Sequence, residues 1–539
     1  MHRLLALAIA AGLVGSPLRP AAAPNYPPRL AVILVIDQMR ADYIDRFQKD
    51  WTGGLKRMVT EGAWFRQAAY PYSETFTCAG HATIATGAFP HRHGIIQNVW
   101  WDRDLSKQIT CTEDPRVRDV GYGTPVRTGD SAHRLLTPTF ADVMRSQMRS
   151  HVAGLSLKDR SAIMLAGHGG DAVTWMSDTV DGWMTSPVYS TAPMPVVEKF
   201  LAVNKMSADY GKTWTRLFPE SHYANRDDAL GEVPPDGWTR TFPHVLNGTG
   251  ESADSSFLAQ WERSPFADAF LGRFAAALVE GFQLGRHETP DILAVSFSSP
   301  DILGHGFGPD SQEIQDMYAR LDQTIGALFE RIDALVGRGQ WVAALTADHG
   351  VSRLPEAVMR DGIDGGHVNS TAVVNAVENA MRPQLGTGRR VVALTGSDLY
   401  FAPGVYAKLQ DSPGLMSSVI NAIEAVPGVE RVLRSDEVRG REKSSDPLVM
   451  AEALSYFNGR SGDLIIAPKR NWMVNTSGVT HGSANVDDQR VPIVLFGRGI
   501  QPGRYDQSVT PADVAPTLAT LCGITLPQAE GHPLTVALQ

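Results

Sequence analysis

Acidic residues and histidines stand at the ends of three apolar runs that lie far apart in the sequence. The runs are LAVILVID, DILAVSFSSPDILGH and WVAALTADH, and a further histidine lies in GVTHGS. Carboxylates that end parallel strands gather at one edge of the sheet, so residues distant in sequence become neighbours there. The predicted metal ligands are Asp37, Asp301, His305, Asp348, His349 and His481. Three carboxylates and three imidazoles suffice for two metal ions, and this mixture of oxygen and nitrogen donors favours zinc.

The segment TFTCAGHATIATG places a hydroxyl where an anion would bind. Small residues and a helical run follow Thr77, so we expect its hydroxyl at a helix N-terminus, where unpaired N–H groups attract negative charge. A hydroxyl is a weak nucleophile unless a base or a metal lowers its pKa. Taken alone, Thr77 would be an N-cap; together with the metal ligands, it is predicted to be a nucleophile. For the nearby His81 we expect a structural role rather than metal binding.

A pair of cations in SLKDRS could hold the anion that such a nucleophile attacks. Lys158 and Arg160 face the same way if their segment is extended, and Asn98 in IIQNVWWDR is a further candidate. Taken alone, a Lys-x-Arg pair is more often part of a solvated protein surface. The three carboxylates and a threonine alkoxide would neutralise the charge of two zinc ions. Lys158 and Arg160 then leave two positive charges, which match the two negative charges of a phosphate monoester. A diester or a sulfate monoester carries one negative charge less.

Apolar runs alternate with helical patterns along most of the chain. Strands are expected at residues 30–37, 162–166, 290–297, 341–347 and 491–496. Helices with one apolar face are expected at residues 141–148, 266–282 and 313–336. This alternation predicts an α/β fold with a doubly wound, mostly parallel sheet sandwiched by helices.

The chain divides into a predicted signal peptide at residues 1–23 and one predicted catalytic domain at residues 24–539. A basic start, a short apolar stretch and an AAA end are typical of a cleaved secretory signal, which predicts an exported protein, periplasmic or secreted. An uncleaved anchor is the alternative; no later run approaches the ~20 apolar residues of a membrane helix. Residues 170–265 and 365–470 interrupt the alternation and are expected to form cap insertions on the carboxyl edge of the sheet.

Charge and cysteine content narrow the possible partners and the redox state. The net charge of −9 argues against non-specific nucleic-acid binding, which needs a basic surface. The cysteines are Cys78, Cys111 and Cys522. Buried free thiols are the favoured expectation, and a Cys78–Cys111 disulfide is the alternative.

These motifs resemble the alkaline phosphatase superfamily, and in particular its phosphate-irrepressible alkaline phosphatases with a threonine nucleophile. The resemblance runs from VILVIDQMRADY through TFTCAGHATIATG, NVWWD, SLKDR, SPDILGHGFGP, TADHG and THGS to ADVAPTLATLCGI. It implies one zinc ion held by Asp301, His305 and His481, and a second held by Asp37, Thr77, Asp348 and His349. It also implies that Asn98, Lys158 and Arg160 hold the non-bridging phosphoryl oxygens.

The resemblance implies hydrolysis of small phosphate monoesters through a phosphothreonine at Thr77. Broad specificity would follow if binding is concentrated on the phosphoryl group, which the charge argument favours. Nucleotide pyrophosphatases and phosphodiesterases are the alternative, because they share the threonine and the six ligands but typically lack the Lys-x-Arg pair. Sulfatases need a cysteine or serine in a C/S-x-P-x-R segment, which TCAGH does not provide. Cofactor-independent phosphoglycerate mutases use a serine as nucleophile, so Thr77 argues against that class. A non-catalytic binding protein with this fold would be expected to have lost a metal ligand, whereas all six are present here.

Overall fold

The computed structural model describes residues 27–126 and 128–539. The predicted signal peptide, residues 1–23, lies outside the described residues. The strands are β1 Leu30–Ile36, β2 Ala63–Ala68, β3 Val99–Asp102, β4 Lys107–Thr110, β5 Val120–Tyr122, β6 Val152–Ser156, β7 Ala172–Met176, β8 Trp183–Thr185, β9 Thr213–Trp214, β10 His244–Val245, β11 Asp291–Phe297, β12 Trp341–Thr346, β13 Gly366–His367, β14 Val391–Thr395, β15 Asp398–Phe401, β16 Val429–Arg434, β17 Leu464–Pro468, β18 Trp472–Met473, β19 Ile493–Gly497 and β20 Gly503–Val509.

Helices lie between many of these strands. They are α1 Tyr43–Phe47, α2 Gly54–Glu61, α3 Thr77–Thr86, α4 Pro90–His93, α5 Phe140–Met148, α6 Asp159–Ala166, α7 Pro195–Val203, α8 Ser255–Trp261, α9 Pro265–Gly281, α10 Ser299–Phe307, α11 Gln312–Val336, α12 Pro355–Arg360, α13 Ser370–Leu385, α14 Val405–Gln410, α15 Pro413–Glu424, α16 Ser435–Val438, α17 Pro447–Ser455, α18 Val486–Gln489 and α19 Val514–Cys522. The predicted helices at residues 141–148, 266–282 and 313–336 correspond to α5, α9 and α11.

A ten-stranded mixed sheet organises the fold, with strand order β20-β2-β19-β12-β1-β11-β6-β7-β8-β5. Its centre, β12-β1-β11-β6-β7, is parallel, whereas β19 runs antiparallel to β12 and β8 runs antiparallel to β7. Helices cover both faces, because successive residues of a strand point to opposite sides and those of β1 are buried on both. Along β1, Leu34 belongs to one apolar cluster with α9 and α11, while Val35 belongs to a second cluster with α3, α6 and α19. The predicted fold class is confirmed.

One predicted strand, residues 162–166, is wrong. These residues form the end of helix α6, and the strand lies earlier, at β6. All residues from Ser161 to Ala166 are buried, so the segment is apolar on every side. A short apolar run of this kind does not distinguish a buried helix from a buried strand.

The two regions predicted as insertions differ in how they join the sheet. The first, residues 170–265, begins with β7 and β8, which belong to the large sheet. Its later part reaches α10, where the Val233 amide donates to the Gly306 carbonyl at 2.8 Å. The second, residues 365–470, contains a separate four-stranded sheet, β14-β15-β17-β16, with its own apolar core. Their role as a cap stays a prediction.

The cysteines correct one expectation. Cys78 and Cys111 form a disulfide, while Cys522 is a buried free thiol. Free thiols at Cys78 and Cys111 were the favoured expectation, and it is wrong because the β3–β4 hairpin ends against the first turn of α3. That contact joins residues 33 apart in sequence, which cysteine spacing alone does not reveal. Throughout residues 27–126 and 128–539, every helix falls short of the length and apolarity needed to cross a membrane.

Candidate active site

The parallel centre of the sheet brings the predicted acidic ligands to one edge. Strand β1 lies between β12 and β11, in a register that pairs Val35 with Thr346 and Ile36 with Phe297. Asp37 follows β1 directly, Asp348 lies two residues beyond β12, and Asp301 lies in the first turn of α10 after β11. All three carboxylates are buried. Open α/β sheets bind ligands at this edge.

Asp301, His305 and His481 form one candidate metal-binding group. The Asp301 Oδ1 atom lies 3.2 Å from His305 Nε2 and 3.7 Å from His481 Nε2. Ligand atoms about 2.0 Å from a tetrahedral zinc ion lie about 3.3 Å apart. The observed separations therefore fit three ligands of one ion.

A second group contains Asp37 and Asp348, and two histidines compete for the third position. Asp37, His81 and Asp348 lie close enough to share an ion, but both His81 ring nitrogens have other partners, the Thr77 carbonyl at 2.8 Å and Ser296 Oγ at 2.9 Å. By contrast, His349 Nε2 and Asp348 Oδ2 are buried, have no hydrogen-bond partner and lie 3.2 Å apart. Two buried polar atoms without a hydrogen-bond partner, at this distance, fit two ligands of one metal ion. We therefore favour His349 over His81.

Backbone carbonyls orient the three candidate histidine ligands in the same way. The Nδ1 atom of His305 lies 2.8 Å from the Val479 carbonyl, that of His349 lies 3.0 Å from the Gly350 carbonyl, and that of His481 lies 2.8 Å from the Thr75 carbonyl. A ring that donates from Nδ1 keeps the Nε2 lone pair for a metal. Burial, with the nearby His349, holds the pKa of His481 well below its ordinary value, which favours the neutral form that binds metals. The donor set present fits zinc.

Lys158 lies between the two groups. Its ammonium donates to Asp37 Oδ2 at 2.8 Å and to Asp301 Oδ2 at 2.5 Å. Burial alone would lower the pKa of this ammonium, but Asp301 and Asp37 outweigh it and raise the pKa. Burial likewise opposes ionisation of Asp301, yet Lys158 and His305 hold the pKa of its carboxyl well below the ordinary value. The site therefore keeps a cation beside both groups at neutral pH.

Thr77 occupies the first position of α3, as the sequence predicts, and it is buried. Helix α3 approaches the backbone of the second group closely, because a Cβ on Gly80 would lie 2.1 Å from the Asp348 carbonyl oxygen. Glycine is needed at this position for the approach. One turn of helix thus connects the predicted nucleophile to the backbone of a predicted ligand.

The other two predicted phosphoryl contacts lie on separate elements. Asn98 precedes β3, and its Oδ1 accepts a hydrogen bond from the Cys78 amide at 2.8 Å, beside Thr77. Lys158 is extended, but Arg160 is the second residue of α6, so the premise that both belong to one extended segment is wrong. Arg160 Nη1 lies 3.7 Å from Asp159 Oδ1, and its buried Nε has no partner.

Two supporting residues escape the sequence reasoning. Gln38 has a left-handed backbone with φ of 65°, and it donates from its amide to Asp348 Oδ1 at 3.0 Å and from Nε2 to Asp301 Oδ1 at 2.7 Å. Ser296 donates to Asp37 Oδ1 at 2.6 Å. Ser296 is the one hydroxyl in DILAVSF, and a polar residue in a buried strand is a signal that could have identified it.

The fold and the site define a class of α/β hydrolase in which two candidate metal groups, with a lysine between them, lie at the carboxyl edge of the sheet near the helix that begins at Thr77. The sequence model of the family described as "Type I phosphodiesterase / nucleotide pyrophosphatase" matches residues 31–484. The chain belongs to this family, which is part of the alkaline phosphatase superfamily.

Among full-length relatives, the chain is similar to alkaline phosphatase PafA of Elizabethkingia meningoseptica, with 30% identity over 99% of this chain and 98% of that protein. It is also similar to alkaline phosphatase PhoK of a Sphingomonas species, with 31% identity over 93% of this chain and 89% of that protein. The crystal structure of PafA superposes with a TM-score of 0.86 at 30% identity, covering 96% of this chain and 100% of that one. The predicted superfamily and the predicted class of enzyme, a phosphoric monoester hydrolase, are confirmed.

Proposed function

We propose that this chain is an exported zinc-dependent alkaline phosphatase that hydrolyses phosphate monoesters of broad specificity through a phosphothreonine at Thr77. The names of the full-length relatives support a phosphatase. The observation that carries the monoester assignment is the Lys158 ammonium, which lies 2.8 Å from Asp37 and 2.5 Å from Asp301.

Two zinc ions are the proposed cofactor. One would be held by Asp301, His305 and His481, and the other by Asp37, Thr77, Asp348 and His349. When bound, zinc would act as a Lewis acid that stabilises charge on oxygen and lowers the pKa of a hydroxyl. The Nδ1 contacts of the three histidines support this assignment, because each leaves Nε2 to a metal.

The residues of the chain would then perform a two-step, in-line transfer. Thr77 Oγ loses its proton to solvent and forms a bond to phosphorus as the bond to the leaving oxygen breaks. The leaving oxygen takes up a proton, which gives an alcohol and phosphothreonine. Water next forms a bond to phosphorus and gives up a proton, and the bond to Thr77 Oγ breaks with return of a proton to that oxygen, so that the configuration at phosphorus is retained. Catalysis of this kind depends mainly on position and charge, which Asn98, Lys158 and Arg160 would supply at the non-bridging oxygens.

The geometry of Asp301 would allow Lys158 to contact the phosphoryl group while Asp301 binds a metal ion. Oδ1 of Asp301 faces the two imidazoles, whereas Oδ2 faces Lys158. Because different oxygens are used, the ammonium would remain beside a metal-bound carboxylate with one of its three N–H groups left to donate. A phosphoryl group with two negative charges would gain more from this cation than a diester with one.

A second candidate function is cleavage of phosphate diesters. It is favoured by the family model, whose description names phosphodiesterases and nucleotide pyrophosphatases. Short segments also match ectonucleotide pyrophosphatase/phosphodiesterases, for example 34% identity over 65 residues with mouse family member 7. The Lys158 cation argues against this candidate, and activity measurements distinguish the two.

The test compares kcat/KM of the zinc-loaded protein for an aryl phosphate monoester and for the matching diester near pH 8. We expect a clear monoester preference, and we expect the double variant Lys158→Ala/Arg160→Ala to lose about 1,000-fold or more on the monoester but far less on the diester. A matched control, Lys212→Ala/Arg331→Ala, removes two exposed cations that each form an ion pair away from the predicted site residues and should change neither rate.

Bound zinc is measured in every preparation, because Lys158 contacts two predicted ligands. Thr77→Ala provides the background rate and should retain zinc while losing most turnover. A diester preference, or equal losses on both substrates in the Lys158/Arg160 variant, would move the assignment to the phosphodiesterase branch. Unchanged activity in Thr77→Ala would refute the nucleophile.

Export is supported by two independent observations. Residues 1–23 have the composition of a secretory signal, and the Cys78–Cys111 disulfide is typical of oxidising compartments. Both fit a protein that acts outside the cytoplasm.

A further inference from the structure

Both half-cystines of the disulfide hold the same residue of the proposed phosphoryl site. The Cys78 amide donates to Asn98 Oδ1 at 2.8 Å, and the Cys111 amide donates to the Asn98 backbone carbonyl at 2.9 Å. Asn98 is therefore fixed at its side chain by one cysteine and at its main chain by the other.

The bond connects two elements that would otherwise meet only through non-covalent contacts. Cys78 lies in the first turn of α3, directly after Thr77, and Cys111 follows β4. Strands β3 and β4 form a hairpin in which Val99 pairs with Thr110, so Asn98 and Cys111 lie at its open end. Both sulfur-bearing residues are fully buried.

The contact with Cys78 also decides which end of the Asn98 carboxamide is available. Oδ1 already accepts the Cys78 N–H, so the Nδ2 group, a donor, is left for another partner. A phosphoryl oxygen accepts hydrogen bonds and needs such a donor. The orientation of Asn98 thus depends on the position of the first turn of α3.

The same segment reaches the Lys-x-Arg pair. Thr112 follows Cys111, and its hydroxyl donates to Asp159 Oδ2 at 2.7 Å. Asp159 stands between Lys158 and Arg160 at the start of α6. A displacement of Cys111 would therefore be transmitted to a second part of the proposed site.

We propose that the Cys78–Cys111 disulfide is a positioning crosslink of the phosphoryl site, which holds the Asn98 carboxamide against the helix turn that carries Thr77. The inference rests on the proposed function, in which Asn98 is a phosphoryl ligand. It makes Cys78 and Cys111 positioning residues, acting through Asn98, rather than a fold-stabilising bond alone.

The test is a double-mutant cycle made of the wild type, Asn98→Ala, Cys78→Ala/Cys111→Ala and the triple variant. Each is assayed for kcat/KM on an aryl phosphate and for affinity for inorganic phosphate, below the melting temperature of every variant. Cys522→Ala is the matched control, because it removes a buried cysteine that is not part of the disulfide.

We expect Asn98→Ala to cost about 100-fold in kcat/KM in the wild-type background, and about tenfold or less when the disulfide is absent, since a misplaced amide has less to lose. Cys522→Ala should leave the rate and the Asn98→Ala loss unchanged. Equal losses in the two backgrounds would overturn the inference, because a bond that only stabilises the fold does not change what Asn98 contributes.

Two further measurements test the crosslink if the wild type lacks monoester activity or if the cysteine double variant does not fold. If the wild type does not turn over monoesters, the proposed function fails, and the same cycle on phosphate affinity decides the crosslink. If the cysteine double variant does not fold, the folded wild type and folded Asn98→Ala are treated with a phosphine, which is oxidised as the S–S bond becomes two thiols. An Asn98→Ala loss that does not shrink in samples shown by mass to carry the two new thiols overturns the inference.

Discussion

Gly80→Ala is the change that most directly tests how α3 places Thr77. Gly80 faces the backbone of Asp348, and an added Cβ would lie 2.1 Å from the Asp348 carbonyl oxygen and 2.7 Å from its carbonyl carbon. The obstructing atoms are backbone, so no side-chain rotation relieves the contact. Either α3 or the segment after β12 must move.

The size of the movement follows from this distance. Carbon–oxygen contacts in proteins lie at about 3.3 Å or more, so the elements must separate by about 1 Å. A displacement of that size at a reacting group costs about 100-fold in rate. Alanine is a better helix former than glycine by about 1 kcal/mol, which partly offsets an overpacking cost of about 1–3 kcal/mol. We therefore expect a large loss of activity with a small loss of stability.

The assay measures kcat/KM on an aryl phosphate together with the melting temperature and bound zinc. Gly272→Ala is the matched control: Gly272 is also a buried helical glycine, in α9, and its added Cβ would meet the Thr324 side chain at 2.6 Å, away from the predicted ligands. The control should show a comparable change in stability and an unchanged rate. Activity of Gly80→Ala within about threefold of wild type would refute the reasoning that this close approach positions the nucleophile.

Two further predictions concern pH and processing. Burial, with Asp398 nearby, raises the pKa of Glu452 to about 8, although the hydrogen bond from Ser73 lowers it. Because the folded state binds this proton more tightly than the unfolded state, the free energy of unfolding falls as the pH rises from about 4.5 through about 8. Glu452→Gln should raise the melting temperature by a few degrees at pH 9 and hardly at pH 4.5, and an equal effect at both would contradict this origin. The mass of the protein exported by an expressing bacterium should correspond to a start after Ala23; the mass of the intact chain would contradict cleavage.

The sequence identified most of what the proposed chemistry needs, because ligand chemistry depends on residue type and on where apolar runs end. Asp37, Asp301 and Asp348 are recognisable at the ends of such runs, and the sheet rule predicts that they meet. Thr77 at a helix start is predictable for the same local reason. The catalytic roles of these residues stay predictions.

The sequence reasoning failed where one local pattern fits two structures. The apolar run before Gly167 suits a strand as well as a helix, and only its packing against the sheet decides for α6. The interpretation of the Lys-x-Arg pair likewise required one extended segment. Lys158 precedes the helix and contacts Asp37 and Asp301, whereas Arg160 lies in the first turn of α6.

The tertiary structure alone decided which groups pair. His81 and His349 both lie beside predicted acidic ligands, and their hydrogen bonds distinguish them: His81 has both ring nitrogens engaged, whereas His349 Nε2 has no hydrogen-bond partner. His481 is oriented by the Thr75 carbonyl, 406 residues away, and Cys78 meets Cys111 through the return of a hairpin. Such contacts join atoms whose positions are set by the whole fold, so residue type and spacing supply the candidates and three-dimensional packing selects among them.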